Sequence, residues 1–380
     1  MGARERLTLY RAARSSSNRQ ESTLLSDRIY LDHAATTPVL PETREAMAEA
    51  LAHWANPSSP HADGRAARAA LERARADIAD ALGWRHDVIL TSGATEAISI
   101  VAARAAVPGR CRGPTEHDAV IAAMGPTAVQ LTVDGDGVIS ERALASELGE
   151  GPTLVALQQV NNETAVIQPL DDVLQRVSTA GSLLLADCAQ GAGKLPLPDA
   201  DFIAVSAHKL GGPPGIGALL VKDLSTLSAS GGQERGYRRG TENLPAAAGF
   251  AAALRSRAFV ASIDRFTKLR KNLEETIVSE GGIVIASGVQ RSPFIGAYAM
   301  PGMASATQLV QLDLAGIAVS AGSACSSGSM KKSHVHQAMG LAPEIAGSII
   351  RVSFGPQTSE AEVDRFLTEW RRIKSRAAAA

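Results

Sequence analysis

Ala204-Val205-Ser206-Ala207-His208-Lys209-Leu210-Gly211-Gly212 is the stretch on which the reading of this chain turns. Phe202, Ile203, Ala204 and Val205 read as a short buried strand, and the glycines that follow end it. A lysine at the end of such a strand is held by the scaffold and partly desolvated. Desolvation favours the neutral amine, the form that attacks carbonyl groups. Eight lysines stand against thirty arginines, and none precedes Lys194. Lys268, Lys271 and Lys374 fall in charge-rich helical stretches, so Lys209 is the one placed like a Schiff-base lysine. Taken alone, Ser206-x-His208-Lys209 reads equally well as a lysine whose amine reaches water past a sheet edge.

A second strand weighs on that choice. Ser182-Leu183-Leu184-Leu185-Ala186 runs into Asp187-Cys188-Ala189-Gln190. Pyridoxal phosphate needs a lysine for its aldehyde and a carboxylate for its pyridinium nitrogen. Neighbouring strands ending in Asp187 and Lys209 supply both, on opposite sides of one ring.

Outward from these two strands the pattern repeats. Strands are expected at Val88–Thr91, Ala128–Val133, Leu154–Val160 and Gly217–Val221, with helical stretches between most of them. The alternation predicts a mainly parallel sheet covered on both faces. Ligands of such sheets bind beyond the carboxyl ends of the strands, where Ser92–Thr95, Asp187 and Lys209 all fall. Beyond Pro245 the alternation is lost. Helices near 245–257, 261–279 and 306–314 mix with strands at Ile283–Ala286, Ile295–Ala299 and Ile349–Phe354, which predicts a smaller α+β domain. Ser359-Glu360-Ala361-Glu362 has capping-box spacing and opens a last helix.

Composition narrows the class. Net charge is −1 with no basic stripe, which argues against nucleic acid and membrane surfaces. The longest apolar run, Pro245–Leu254, is about half a membrane span. Cys111, Cys188 and Cys325 are too few and too scattered for a disulfide framework or a zinc site, and a reducing cytoplasm is the expected location. Residues 1–28 hold six arginines, many serines and no apolar segment, and read as a flexible tail or an upstream choice of start codon.

Several polar stretches each carry two readings. Ser92-Gly93-Ala94-Thr95-Glu96, between a strand and a helix, is an ordinary helix cap or a phosphate cradle. His117 alone reads as a surface or capping residue, and Asn161-Asn162-Glu163 follows a strand at the ligand edge. Gly231–Thr241 is a solvated connection or a carrier of positive charge to a phosphate. Arg351, alone among β residues, is an edge-strand charge or a fork for a carboxylate. Cys325 differs in kind. Ser320–Ser329 is ten small residues, one of them a thiol, cannot pack a core, and reads as a mobile loop with a reactive cysteine.

Together these residues resemble the cysteine desulfurases, pyridoxal phosphate enzymes of the class V aminotransferase group. The resemblance runs from about Ile29 to Leu367. It is carried by Leu31–Pro38, Thr91–Glu96, Val160–Glu163, Asp187-x-x-Gln190, Ser206-x-His208-Lys209, Arg239-Gly240-Thr241 and Gly322-Ser323-Ala324-Cys325. It implies the α/β fold type I architecture of pyridoxal phosphate-dependent transferases, with a mainly parallel seven-stranded large-domain sheet and a smaller α+β domain. The implied divisions are a disordered extension at 1–28, residues 29–44 joining the small domain, a large cofactor-binding domain at 45–258, and a small domain at 259–380 with a mobile loop at 320–333.

The resemblance also implies roles. Lys209 carries the cofactor and moves the Cα proton, and Asp187 pairs with the pyridinium nitrogen. His117 stacks on the ring, while Gln190 and Asn162 reach its 3′-oxygen and the substrate side. Thr95, Ser206 and His208 bind the phosphate, and Thr241 reaches the phosphate of a second subunit in a homodimer. Arg351 grips the substrate carboxylate and Cys325 takes the sulfur. Cysteine becomes alanine, and the sulfur leaves as a Cys325 persulfide. Cys325 and Arg351 are separated by 26 positions, which resembles the long-loop class that serves iron–sulfur cluster assembly and tRNA thiolation. The expected partners are L-cysteine and a sulfur-acceptor protein, with no membrane and no direct nucleic acid. Other readings are a selenocysteine lyase, another class V enzyme, or a non-catalytic scaffold. Arg110-Cys111-Arg112-Gly113-Pro114 stands where the family pattern leads one to expect an apolar strand.

Overall fold

The apolar runs become the middle of a seven-stranded sheet. The structure, a computed structural model, describes residues 28–322 and 332–378. The expected N-terminal extension up to residue 27, and Cys325, lie outside the described residues. After β1 (Ile29–Tyr30), the large sheet takes β2 (Asp87–Thr91), β3 (Gly109–Arg112), β4 (Val129–Gln130), β5 (Thr153–Gln158), β6 (Leu183–Asp187), β7 (Phe202–Ser206) and β8 (Gly217–Val221). Their spatial order is β2-β8-β7-β6-β5-β3-β4. From β7 to β4 every pairing is parallel, and β8 runs against both β7 and β2.

Every residue of β5, β7 and β8 is buried, as strands covered on both faces must be. Alternate side chains serve two cores. Leu185, Ala204 and Leu219 pack with Ile98 and Val101 of the helix Ala94–Arg104 on one face. Leu184, Val205 and Leu220 pack with Phe250 and Leu254 of the helix Leu244–Ser256 on the other.

The Arg110-Cys111-Arg112 stretch is a strand after all, between β5 and β4. Cys111 is fully buried, and Arg110 folds back so that its Nε donates to the Ala102 carbonyl at 3.0 Å. Spending the guanidinium on helix-end carbonyls lets a charged residue sit in a sheet. The strand expected over Ala128–Val133 shrinks to Val129–Gln130, both exposed at the sheet edge. Short edge strands offer less unpaired backbone to other chains.

Beyond the large sheet, β9 (Ile283–Val284), β10 (Ile295–Ala299) and β12 (Ile349–Ser353) form an antiparallel sheet in the order β12-β10-β9, and β11 (Ile317–Ala318) pairs in parallel with β1. The capping box forms: Ser359 N–H donates to Glu362 Oε2 at 2.8 Å and Glu362 N–H to Ser359 Oγ at 3.3 Å. Among the described residues no helix is long and apolar enough to cross a membrane.

One glycine sets how closely β8 approaches the ligand edge. A Cβ on Gly217 would lie 2.3 Å from the Val205 carbonyl oxygen and 2.7 Å from the Gly93 Cα. Both are backbone atoms and neither can yield cheaply. Gly217→Ala should therefore lower stability by about 2 kcal/mol and push the turn at Gly93 outward. Thermal unfolding checks this, and an unchanged transition temperature would refute it.

Candidate active site

At the carboxyl ends of β2, β5, β6 and β7 lies a cavity of about 410 Å³. Thr95, His117, Asn162, Asp187, Gln190, Ser206, His208 and Lys209 all line it. Segments more than a hundred residues apart thus converge on one opening, because parallel strands place all their exits at one edge.

One end of the cavity suits an anion. Gly93, at φ 152°, turns the chain from β2 into the helix Ala94–Arg104, whose first N–H groups lack helical partners. Thr95 sits in that first turn, and Ser206, at the end of β7, lies beside it, its Oγ 3.9 Å from where a Cβ on Gly93 would stand. Glu96 accepts from the Ser92 N–H and pairs with Arg238 Nε at 3.2 Å, which ties the 231–241 loop to this turn. His208 Nδ1 lies 3.1 Å from Thr36 Oγ1. Burial, helped by Lys209 and Lys194, pushes the His208 pKa down to about 4.

The other end holds a carboxylate and an amine. Asp187 is 7% exposed and accepts the Ala189 N–H at 2.9 Å. Burial raises its pKa, while the Ala189 N–H, His117 and Lys209 draw it back. Lys209 sits on a single 3-10 turn after β7, and its Nζ donates to the Ala34 carbonyl at 3.0 Å. Gln190 Nε2 donates to the same carbonyl at 2.8 Å, leaving Gln190 Oε1 buried with no partner among the described residues. His117 caps the helix Asp118–Met124, its Nδ1 accepting the Ala119 N–H at 3.1 Å.

Two supports of this wall are missing from the sequence reading. Gln158 lines the cavity, and its Nε2 donates to the Thr115 carbonyl at 2.7 Å, which fixes the segment leading to His117. Glu116 is buried, its pKa is raised chiefly by that burial, and its carbonyl accepts from His334 Nε2 at 2.8 Å. A polar residue ending the apolar run Leu154–Val160 was the available signal for Gln158. Nothing local marks Glu116 as buried.

Two expected site residues stand apart from the cavity lining, and a third cannot be placed among the described residues. Arg351, on β12 and 4% exposed, donates through Nη1 to the Asn162 carbonyl at 2.9 Å and through Nη2 to Asp32 Oδ1 at 2.8 Å. It therefore braces Asn162, a lining residue. Ser320, five residues before Cys325, exchanges backbone hydrogen bonds with Arg351. Thr241 is exposed and outside the cavity of its own chain. Cys325 is outside the described residues.

The donor set fits pyridoxal phosphate: a buried carboxylate for a pyridinium nitrogen, a helix N-terminus with hydroxyls for a phosphate, an amine for an aldehyde, and an orphaned Gln190 oxygen beside them. Comparison with known proteins agrees. The family Aminotransferase class-V matches residues 29–366. A protein named cysteine desulfurase from Cereibacter sphaeroides is 36% identical over 365 residues, covering 90% of this chain and 94% of that one. An X-ray structure of a NifS-like protein from Rickettsia africae matches with a TM-score of 0.83 at 29% identity, covering 92% of this chain and 99% of that one. A structure of SspA in complex with cysteine matches with a TM-score of 0.73 at 27% identity, covering 87% of this chain and 100% of that one. The matched span contains both the sheet and every lining residue of the cavity, and this chain belongs to the aminotransferase class-V family, which uses pyridoxal phosphate.

Proposed function

We propose that the protein is a cysteine desulfurase that converts L-cysteine to L-alanine and hands the sulfur on through Cys325. The observation that carries this reading is the convergence of Lys209, Asp187 and His117 on one cavity, in a chain whose curated relatives bear that name. Bound pyridoxal phosphate supplies an electron sink for the substrate Cα.

The chain's own residues do the rest. Lys209 anchors the cofactor by its amine, then takes the proton from the substrate Cα. Asp187 holds the proton of the pyridine nitrogen, and His117 covers the ring. Gln190 and Asn162 serve the 3′-oxygen and the substrate side. Thr95, Ser206 and His208 hold the phosphate, joined by Thr241 from a second copy of the chain. Arg351, whose Nε is buried without a partner among the described residues, takes the substrate carboxylate. Residues 29–44 and 259–380 act as the smaller unit that brings Arg351 and Cys325 to the large sheet.

The Cys325 thiolate attacks the substrate sulfur. A sulfur–sulfur bond forms, the carbon–sulfur bond breaks, and the electron pair stays on the substrate carbon, which takes a proton on the way to alanine. The persulfide sulfur then passes to an acceptor protein of iron–sulfur assembly or tRNA thiolation. The test is turnover with cysteine carrying radiolabelled sulfur. Stoichiometric alanine, with label retained on Cys325 and released by reductant, is expected. Alanine without retained label would instead favour a lyase.

A further inference from the structure

The reaction as described makes no use of Glu163. This residue follows Asn162 of the cavity lining and is 3% exposed. The turn around it does not need its side chain. Asn161 Oδ1 already accepts the N–H groups of Glu163 at 2.9 Å and of Thr164 at 2.8 Å. Burying a carboxylate is costly, and an apolar side chain would fill the same space at less cost.

The partner of this carboxylate lies 170 positions away. Ser333 Oγ donates to Glu163 Oε2 at 2.7 Å and accepts the His336 N–H at 3.2 Å, capping the short helix His334–Ala338. His336 Nε2 stands 3.7 Å from the same oxygen, too far to bond, and burial lowers the pKa of that imidazole, which leaves it neutral. Gly322 meets this pair. A Cβ there would lie 3.7 Å from Ser333 Cβ and 3.8 Å from Glu163 Oε2. The chain therefore leaves the described residues at Gly322, and re-enters just before Ser333, beside one carboxylate.

The flanks of that point are tied to the cavity wall. Ahead of it, Ser320 and Arg351 exchange backbone hydrogen bonds at 3.1 and 2.6 Å, and Arg351 Nη1 holds the Asn162 carbonyl. After it, His334 Nε2 bonds the Glu116 carbonyl at 2.8 Å, next to His117. Cys325 is three residues beyond Gly322, a reach of at most about 11 Å of chain.

We propose that Glu163 is a positioning residue for the sulfur-transfer step, holding both ends of the stretch that carries Cys325 beside Asn162 through its bond from Ser333. It acts on geometry alone. A thiolate must approach the substrate sulfur closely, and a misplacement of about 1 Å can cost roughly 10²-fold in rate. Cofactor attachment and removal of the Cα proton depend on Lys209 and Asp187, which β7 and β6 position independently of Glu163.

The inference rests on the sulfur-transfer reading, and the experiment separates the two. The holoenzyme and its Glu163→Leu variant are compared with cysteine and with selenocysteine, whose selenium departs without thiol attack. Leucine fills the space and leaves Ser333 its capping role. Alanine formation and Cys325 labelling from cysteine should both fall by roughly tenfold or more. Alanine formation from selenocysteine, the visible spectrum and its response to cysteine should stay unchanged. Glu163→Gln keeps an acceptor for the Ser333 hydroxyl and should restore most of the cysteine rate. Unchanged cysteine turnover in Glu163→Leu overturns the inference. So does an equal fall with both substrates, the mark of a merely structural role. Should Glu163→Leu fail to fold, Ser333→Ala removes the same bond and Ser333→Thr keeps it, and the same two outcomes decide. An unaltered protein that forms alanine from cysteine without label on Cys325 would instead overturn the sulfur-transfer reading.

Discussion

Replacing Lys209 with alanine is expected to give a folded but colourless protein, with cysteine turnover reduced roughly 10³-fold or more. Among the interactions lost is the bond from Nζ to the Ala34 carbonyl, at a half-buried position. One such bond is worth about 1 kcal/mol, so thermal unfolding should change little. The function lost is far larger. The amine both anchors the cofactor and moves the substrate proton, and no neighbour stands ready to replace it. His208 is neutral but is spent on Thr36, and Lys194 is sealed behind Phe259 and Phe294. Borohydride trapping with peptide mapping is the check. In the unaltered protein label belongs on Lys209, and in the alanine variant no lysine should be labelled at a comparable rate. A variant that stays yellow with label on Lys194 would mean that the scaffold offers a second anchoring amine.

Cys325→Ala should separate the two halves of the reaction. Ser320–Ser329 contains no large side chain, so losing one thiol should open no core cavity and cost well under about 1 kcal/mol. The cofactor should bind normally, and cysteine should still perturb its spectrum, because Lys209, Asp187 and Arg351 are untouched. Alanine formation from cysteine should fall by roughly 10²-fold or more, and labelled persulfide should vanish, because the attacking thiolate is gone. Selenocysteine, whose selenium departs without thiol attack, should still turn over. Product analysis by chromatography, with label counting on the protein, reads both outcomes. Alanine formed from cysteine at the unaltered rate would replace the sulfur-transfer reading with a lyase.

The sequence by itself determined the local pieces. Phe202–Ser206 is apolar without alternation, as a strand buried on both faces must be, and Lys209 follows where the glycines end it. Leu183–Ala186 delivers Asp187 for the same reason, and the spacing of Ser359 and Glu362 fixed the start of the last helix. Each depends on residues near in the chain, where propensity and periodicity act. Motif order then named the family. It did not reveal that Gly109–Arg112 is a strand, because Arg110 reaches carbonyls of the preceding helix that no local pattern predicts.

Sheet order was decided only in the tertiary structure. The strand β8, 126 residues after β2 begins to pair with it (Thr91 to Gly217), inserts antiparallel between β2 and β7 and thereby sets the Gly93 turn against Ser206. Burial of Glu116, the Gln158 strut on Thr115, the Arg351 fork to Asp32 and Asn162, and the aromatic seat of Lys194 were likewise settled only there. The physical reason is common to all of them. A sequence pattern records whether a residue is buried, but which distant group it meets depends on long-range packing, and the charge of a buried group depends on what it meets.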